Sequence, residues 1–263
     1  MDVYSFLEAV RKKSPVVHHL TNWVTIYDCA QVVKSLGASP VMAHAAEEVA
    51  DMTGIASALV LNIGTLTVDF IESMTKAAQA ANYLNIPVIL DVCGAGATPF
   101  RDKKSLELLD SAHISVIKGN SSEIARIAGM DVRTRGVDAV QVEADLAKIA
   151  AGLARKRSCV VVVTGKEDIV TDGSITYRIR NGVDMMTHVV GTGCMAASVI
   201  GTFAGASPED ITSAAAAGLC CYGVASELAA GKSSGPVSFK HSLLDEIYNL
   251  KKEDIIKLQK VDG

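Results

Sequence analysis

Ala58-Leu59-Val60-Leu61-Asn62-Ile63-Gly64-Thr65 is an apolar run brought to a stop by a polar residue and a glycine. Several apolar residues in a row, without polar alternation, describe a strand covered on both faces, the condition met in parallel sheets. The same grammar returns three times: Pro87-Val88-Ile89-Leu90-Asp91 followed by Gly94-Ala95-Gly96-Ala97-Thr98, then Ile114-Ser115-Val116-Ile117-Lys118-Gly119-Asn120-Ser121-Ser122-Glu123, then Val160-Val161-Val162-Val163-Thr164-Gly165. Between the runs, apolar spacing of helical period is clearest over residues 66–84, 123–130 and 140–154. Strand, helix and strand in succession predict an α/β fold with a largely parallel central sheet and helices on both faces. Aromatics are only 5% of a composition that is 49% hydrophobic, so Val, Ile, Leu and Ala must fill the core. No compositional boundary interrupts the chain, and residues 1–263 are expected to form one domain.

Outward from this centre, residues 2–13 read as a helix with Val3, Phe6, Leu7 and Val10 on one stripe. Pro15-Val16-Val17-His18-His19-Leu20 then reads as a strand. Its adjacent histidines point to opposite faces, which makes them a poor metal pair; one core and one exposed histidine are expected. Asn22 either caps the helix that begins near Val24 or meets a ligand. Leu36-Gly37-Ala38-Ser39-Pro40-Val41-Met42 ends that helix and offers small apolar residues beside Met42, suited to core filling or to a flat heterocycle. Glu47 and Glu48 are expected in a solvated turn.

The net charge of −4, without blocks of like charge, disfavours nucleic acid or an anionic membrane as partner. Residues 189–208 and 211–226 carry no charge but for Glu209 and Asp210 between them, yet glycines, hydroxyl residues and Pro208 interrupt the first run. Two helices buried in a core are expected there, not membrane spans. The opening Met1-Asp2-Val3-Tyr4-Ser5-Phe6-Leu7-Glu8 carries acids where a secretory signal carries base, so a cytoplasmic location is expected. Cys29, Cys93, Cys159, Cys194, Cys220 and Cys221 form no C-x-x-C pair and are expected to be buried free thiols in apolar surroundings.

Ligands of open parallel sheets sit beyond the carboxyl ends of the strands, where Asn62, Asp91, Lys118, Asn120, Glu123 and Thr164 all fall. A second feature joins them. In Val189-Val190-Gly191-Thr192-Gly193-Cys194-Met195-Ala196-Ala197-Ser198 a glycine turn runs into a helix, turning backbone N–H groups and the positive end of the helix dipole toward one point. This is an anion seat. The stretch also fits G-x-G-x-x-A, but the acid required about 20 residues on is replaced by Asp210 at a helix start, so a dinucleotide fold is set aside. The Walker pattern is absent. Asp91 and Glu123 suit Mg2+, and Lys118 adds positive charge, the parts needed to stabilise a transferring phosphoryl group.

The segments Thr21-Asn22, Gly37-Ala38-Ser39-Pro40-Val41-Met42, Leu61-Asn62-Ile63-Gly64-Thr65, Gly94-Ala95-Gly96-Ala97-Thr98-Pro99-Phe100-Arg101, Gly119-Asn120-Ser121-Ser122-Glu123-Ile124 and Gly191-Thr192-Gly193-Cys194 resemble the hydroxyethylthiazole kinase family, in order and over nearly the whole length. The resemblance implies a ribokinase-like fold and transfer of phosphate from ATP to the hydroxyl of 4-methyl-5-(2-hydroxyethyl)thiazole in thiamine salvage. It implies that Met42, Asn22, Val24, Gly37, Ala38, Pro40 and Gly191 bind the thiazole, that Lys118, Thr164 and Asn120 meet ATP, and that Asp91 and Glu123 meet Mg2+. Catalysis falls to Cys194, Gly191 and Gly193, with Cys194 either a proton acceptor or a small residue fitting the helix start. A homotrimer with substrate pockets between subunits is implied as well. The chain departs from the family pattern at Val92-Cys93, Lys118 and Trp23; lysine in place of arginine keeps charge but loses bidentate contact. Two neighbours within the fold stay open. A hydroxymethylpyrimidine or pyridoxine kinase is opposed by residues 37–42, and a nucleotide-dependent hydro-lyase would carry aspartate in place of Cys194.

Overall fold

The four apolar runs form the middle of one nine-stranded sheet in the computed structural model, which describes residues 1–130 and 146–263. In chain order the elements are α1 (Val3–Lys13), β1 (Val16–Leu20), α2 (Ile26–Ser35), β2 (Ser39–Val41), α3 (Val49–Gly54), β3 (Ala58–Asn62), α4 (Val68–Tyr83), β4 (Val88–Asp91), α5 (Pro99–Ser111) and β5 (Val116–Asn120). They continue with α6 (Ser121–Ile127), α7 (Leu146–Arg157), β6 (Val160–Thr164), β7 (Asp168–Thr171), β8 (Thr176–Ile179), a 3-10 turn at Asp184–His188, α8 (Thr192–Ala206), α9 (Ile211–Ala230), α10 (Pro236–Asn249), α11 (Lys252–Leu258) and β9 (Val261–Asp262). The sheet order is β2-β1-β3-β4-β5-β6-β7-β8-β9. The first six strands run parallel and the last three antiparallel.

Strand side chains alternate between two hydrophobic clusters. Ala58, Val60, Val160 and Val162 enter one, beneath α1, α2, α8, α9 and α10, whereas Leu59, Leu61, Val161 and Val163 enter the other, beneath α4, α5 and α7. Burial on both faces is why these strands lack polar alternation. Helix α8 lies so close to the sheet that a Cβ on Gly201 would come 2.4 Å from Val60 Cγ2. Helix α9 is long and apolar enough to cross a membrane, but 78% of its apolar window is buried inside the fold, as in a core helix.

Several expectations are corrected. Both histidines of β1 are buried: His18 bonds Thr53 Oγ1 at 2.9 Å and the Ala43 carbonyl at 2.7 Å, and His19 bonds the Val17 carbonyl and Ser198 Oγ, each at 3.0 Å. A strand with helices on both sides leaves no exposed face for the second ring. Helix α2 begins at Ile26 with Thr25 as its N-cap, so Asn22 precedes the helix. Strands β7, β8 and β9 were not expected; they are short, and β8 is only partly buried, so their sequences lack the long apolar run. The helix expected over 140–154 is seen from Leu146 to Arg157, its first residues lying outside the described ones.

Burial lowers the pKa of both rings, His19 to about 4, against the opposing pull of their carbonyl partners. They are neutral when folded, while the unfolded chain takes up protons below about pH 6.5. Stability is therefore intact above that pH and is lost as pH falls toward 4. Between pH 7 and pH 5 His19 accounts for about 2 kcal/mol of the loss. Urea unfolding of the wild type and His19→Gln at both pH values checks this; parallel losses in the two proteins would refute it.

Candidate active site

Strand register brings the polar residues together. Asn62 stands opposite Asp91, Asp91 opposite Lys118, and Asn120 opposite Thr164, so side chains far apart in sequence share one edge of the sheet. Asn62 Nδ2 donates to Asp91 Oδ2 at 2.7 Å, and Lys118 Nζ lies 3.3 Å from each Asp91 oxygen. All three are buried. From the loop after β1, Asn22 Nδ2 donates to Asn62 Oδ1 at 3.0 Å and to Cys194 Sγ at 3.3 Å, and Asn62 Nδ2 reaches the same sulfur at 3.4 Å.

Helix α8 delivers Cys194 to this point. Gly191 is its N-cap, with φ +95°, and a Cβ there would sit 2.7 Å from Thr25 Cγ2. An α-helix leaves its first N–H groups without intrahelical partners, and here they belong to Thr192, Gly193 and Cys194. A Cβ on Gly193 would be 3.4 Å from Lys118 Nζ, so ammonium and helix N-terminus face one place. That place suits an anion of high charge.

Asn120 and Glu123 hold the neighbouring loop. The Asn120 side chain accepts the Glu123 N–H at 3.0 Å, and Glu123 Oε2 accepts the Asn120 N–H at 2.8 Å, a capping box at the start of α6. Glu123 Oε1 accepts the Gly94 N–H at 2.7 Å, binding the loop after β4 to α6. Thr164 Oγ1 reaches the Gly119 carbonyl at 3.4 Å. Among the described residues no group of three or more His, Cys, Asp or Glu is arranged to hold a metal. Asp91 and Glu123 supply two carboxylates.

Burial would strip Lys118 of its proton, but Asp91 and Glu123 more than offset this and hold the ammonium above the usual lysine range. Burial pushes the Asp91 carboxyl up, with Lys118 pulling against it. Glu123 is raised by burial against Lys118 and its two backbone donors. The adjacent Cys93 thiol, opposed by burial and assisted by Lys118, Thr25 and Asn22, draws Cys194 down to about 5, and Cys93 is raised in turn. These groups together favour the thiolate form of Cys194.

The expected substrate residues divide. Asn22 belongs to the network, Met42 and half-buried Pro40 lie at and beside the carboxyl end of β2, and Val24 is exposed at its rim. Gly37 and Ala38 precede β2 at the opposite end of the sheet; Ala38 is packed in the core, and Gly37 borders a depression of about 640 Å3 with Tyr4, Arg11 and Leu250. A parallel strand separates the two halves of this segment, and the structure does not bring Gly37 or Ala38 to the network. Cys93 and Cys194 are only partly buried and lie among polar groups, unlike the apolar thiols expected. Cys93 was missed, although its Val92-Cys93 setting marked a departure. Arg101 was missed too: it donates to the carbonyls of Ile63 at 2.9 Å, Cys93 at 3.1 Å and Gly64 at 2.8 Å, joining the loops after β3 and β4. Only folding brings those carbonyls to one guanidinium.

The model of the hydroxyethylthiazole kinase family matches residues 7–253. The hydroxyethylthiazole kinase of Methanosarcina acetivorans is 55% identical over 249 residues, 95% of each chain, and that of Methanosarcina mazei 53% over 256 residues, covering 97% of this chain and 98% of the other. The solved hydroxyethylthiazole kinase of Pyrococcus horikoshii superposes with TM-score 0.91 at 38% identity, covering 99% of this chain and 98% of that one. A ribokinase-like superfamily protein of Enterococcus faecalis, 13% identical with TM-score 0.63 over 89% of this chain and 86% of its own, shares the fold.

The Gly191 turn yields a test of the anion seat's construction. Gly191→Ala places a methyl group against Thr25 at a backbone angle that L residues rarely adopt, and should lower stability by about 2 kcal/mol. Urea unfolding measures it. An unchanged midpoint would mean that the turn is not held against α2.

Proposed function

This chain belongs to the hydroxyethylthiazole kinase family, and on that premise we propose that it transfers the γ-phosphoryl group of ATP to the hydroxyl of 4-methyl-5-(2-hydroxyethyl)thiazole, in thiamine salvage. The observation that carries the reading is the meeting of Lys118, the α8 N-terminus and Cys194 at one point beyond the strand ends. The phosphates take the α8 N-terminus and Lys118, with Asn120 and Thr164 on the nucleotide side. The alcohol takes the side bounded by Asn22, Val24, Pro40, Met42 and Gly191. Gly193 leaves the backbone open to the transferring group, and Gly191 sets the turn.

Asp91 and Glu123 fit Mg2+, which binds through one or two carboxylates and otherwise keeps water and substrate phosphates. Each Glu123 oxygen accepts one backbone N–H and retains capacity for a metal-bound water. Bound there, Mg2+ would neutralise charge on the phosphate oxygens. Lys118 does the same from the protein, and its ion pair with Asp91 keeps it protonated and fixed.

A homotrimer whose pockets lie between subunits fits the exposed apolar rim of the site. Trp23, Val24, Tyr27 and Val190 are all exposed beside Asn22 and Gly191, and Trp23 stacks on Phe70 at 5.4 Å and meets His44 edge-on at 4.9 Å. The rim is continuous with the site, so a second chain covering it would also close the alcohol's pocket. One sheet running from β2 to β9 supports a single domain over 1–263, and six free cysteines suit a cytoplasmic setting.

Cys194 faces the hydroxyl as a weak proton acceptor. A thiolate near pKa 5 is a poor base, but phosphoryl transfer through a loose transition state requires little base strength and much positioning. Steady-state phosphorylation of the thiazole alcohol from ATP tests both the activity and this role. Cys194→Ala should lower kcat by less than about 100-fold, below the usual range for loss of a general base. Cys194→Asp should keep or raise kcat, since a carboxylate there also accepts the proton. A Cys194→Ala protein that binds both substrates but is inactive would make the thiol an essential base, and a wild type that leaves the thiazole alcohol untouched would sink the function.

A further inference from the structure

The two carboxamides of the network have fixed orientations. Asn22 Oδ1 accepts the Val24 and Thr25 backbone N–H groups, both at 3.1 Å, and Asn62 Oδ1 accepts the Gly64 N–H at 2.9 Å. A backbone N–H only donates, so the atom facing it is the amide oxygen, and both nitrogens must turn the other way. Asn22 Nδ2 then gives its hydrogens to Asn62 Oδ1 and the Cys194 sulfur, and Asn62 Nδ2 gives its own to Asp91 Oδ2 and the same sulfur. All four amide hydrogens have an acceptor. The sulfur takes two of them.

We propose that Asn62 is a positioning residue for the phosphoryl transfer, tying the Cys194 sulfur and the Asp91 carboxylate to one planar amide and so fixing the acceptor side of the site against the nucleotide side. The proposal rests on Cys194 meeting the alcohol's hydroxyl. A loop-holding asparagine would need only the oxygen that bonds Gly64; the nitrogen serves two groups that belong to the site. Gly64 gives the amides their room, since a Cβ there would lie 3.0 Å from Asn62 Oδ1 and 3.1 Å from Asn22 Cβ. Asn62 thus presents the sulfur with a donor, and the sulfur accepts from both amides. Asn22 anchors the arrangement to the start of α2 through Thr25, whose hydroxyl bonds Asn22 Oδ1 at 3.1 Å.

Asn62→Asp keeps the oxygen that holds Gly64 and replaces the donor by an acceptor, while Asn62→Ala removes both. Two measurements on the full chain decide the matter: kinetics with ATP and the thiazole alcohol, and alkylation of Cys194 by iodoacetamide without substrates, followed on the Cys194 peptide by mass spectrometry. In Asn62→Asp, kcat should fall about 10-fold or more with both KM values within about 3-fold, as for loss of one charge-assisted hydrogen bond acting in the chemical step. The pH midpoint of alkylation should move upward by about one unit or more, and alkylation at pH 5 should slow about 5-fold, because the thiolate has lost a donor. Asn62→Ala should move kcat and the alkylation midpoint in the same directions, and urea unfolding confirms that each variant is folded under assay. Unchanged alkylation in both folded variants overturns the proposal, as does retained kcat in both, whatever the alkylation. A wild type inactive on the thiazole alcohol overturns the functional reading alone, and the alkylation arm still decides whether Asn62 holds the sulfur.

Discussion

A lysine ammonium buried 3.3 Å from both oxygens of a buried carboxylate is the contact on which the site depends. Taking both charges from water costs several kcal/mol apiece, and their attraction repays this only when the remaining hydrogen-bonding capacity is also met. Here Asn62 serves Asp91, and Glu123 adds negative charge near Lys118. The pair spans two adjacent parallel strands, β4 and β5, in direct register. A slip of one residue between them would turn one charge into the apolar cluster on the wrong face, so the ion pair and the strand register specify each other.

The helix that completes the site is positioned by what it lacks. Gly201 lets α8 approach Val60 more closely than any side chain would permit, and Gly191 lets its first turn pass against Thr25. Helix α9 packs on α8, where a Cβ on Gly218 would come 3.2 Å from Phe203, and Ala214, Ala215, Ala216 and Ala217 of α9 are buried. Small residues on both helices bring the α8 axis down onto the sheet, and its N-terminus emerges over Lys118. Packing in the core thus sets the electrostatics at the rim.

The surroundings of the thiol at the head of α8 favour its anionic form. Cys93, Lys118 and the amides of Asn22 and Asn62 all favour negative charge on Cys194, while burial opposes it. The same groups would attract a phosphoryl group's oxygens, and the sulfur occupies the side toward Asn22 and the apolar rim. Arg101 stabilises this arrangement from behind by gathering three loop carbonyls, which keeps the strand-end loops at fixed separation without entering the network.

Legibility in the sequence follows the range of the interaction that fixes each feature. The parallel strands, the helices between them and the row Asn62, Asp91, Lys118, Asn120, Glu123 and Thr164 could be read directly, because a strand buried on both faces needs an unbroken apolar run and polar residues are tolerated only where it ends. The antiparallel edge β7, β8 and β9 escaped, since strands of two to four residues, the last two partly exposed, impose no such run. Within the site, the sequence determined which chemical groups were available, and its resemblance to a family suggested their use. Only the tertiary structure decided that Gly37 and Ala38 stand at the far end of β2, that both histidines of β1 are enclosed, that Cys93 joins the site, and that Arg101 ties the loops around it together. It also decided which way the amides of Asn22 and Asn62 face, because that depends on backbone N–H groups and a sulfur that meet only after strands and helix from distant parts of the chain have packed.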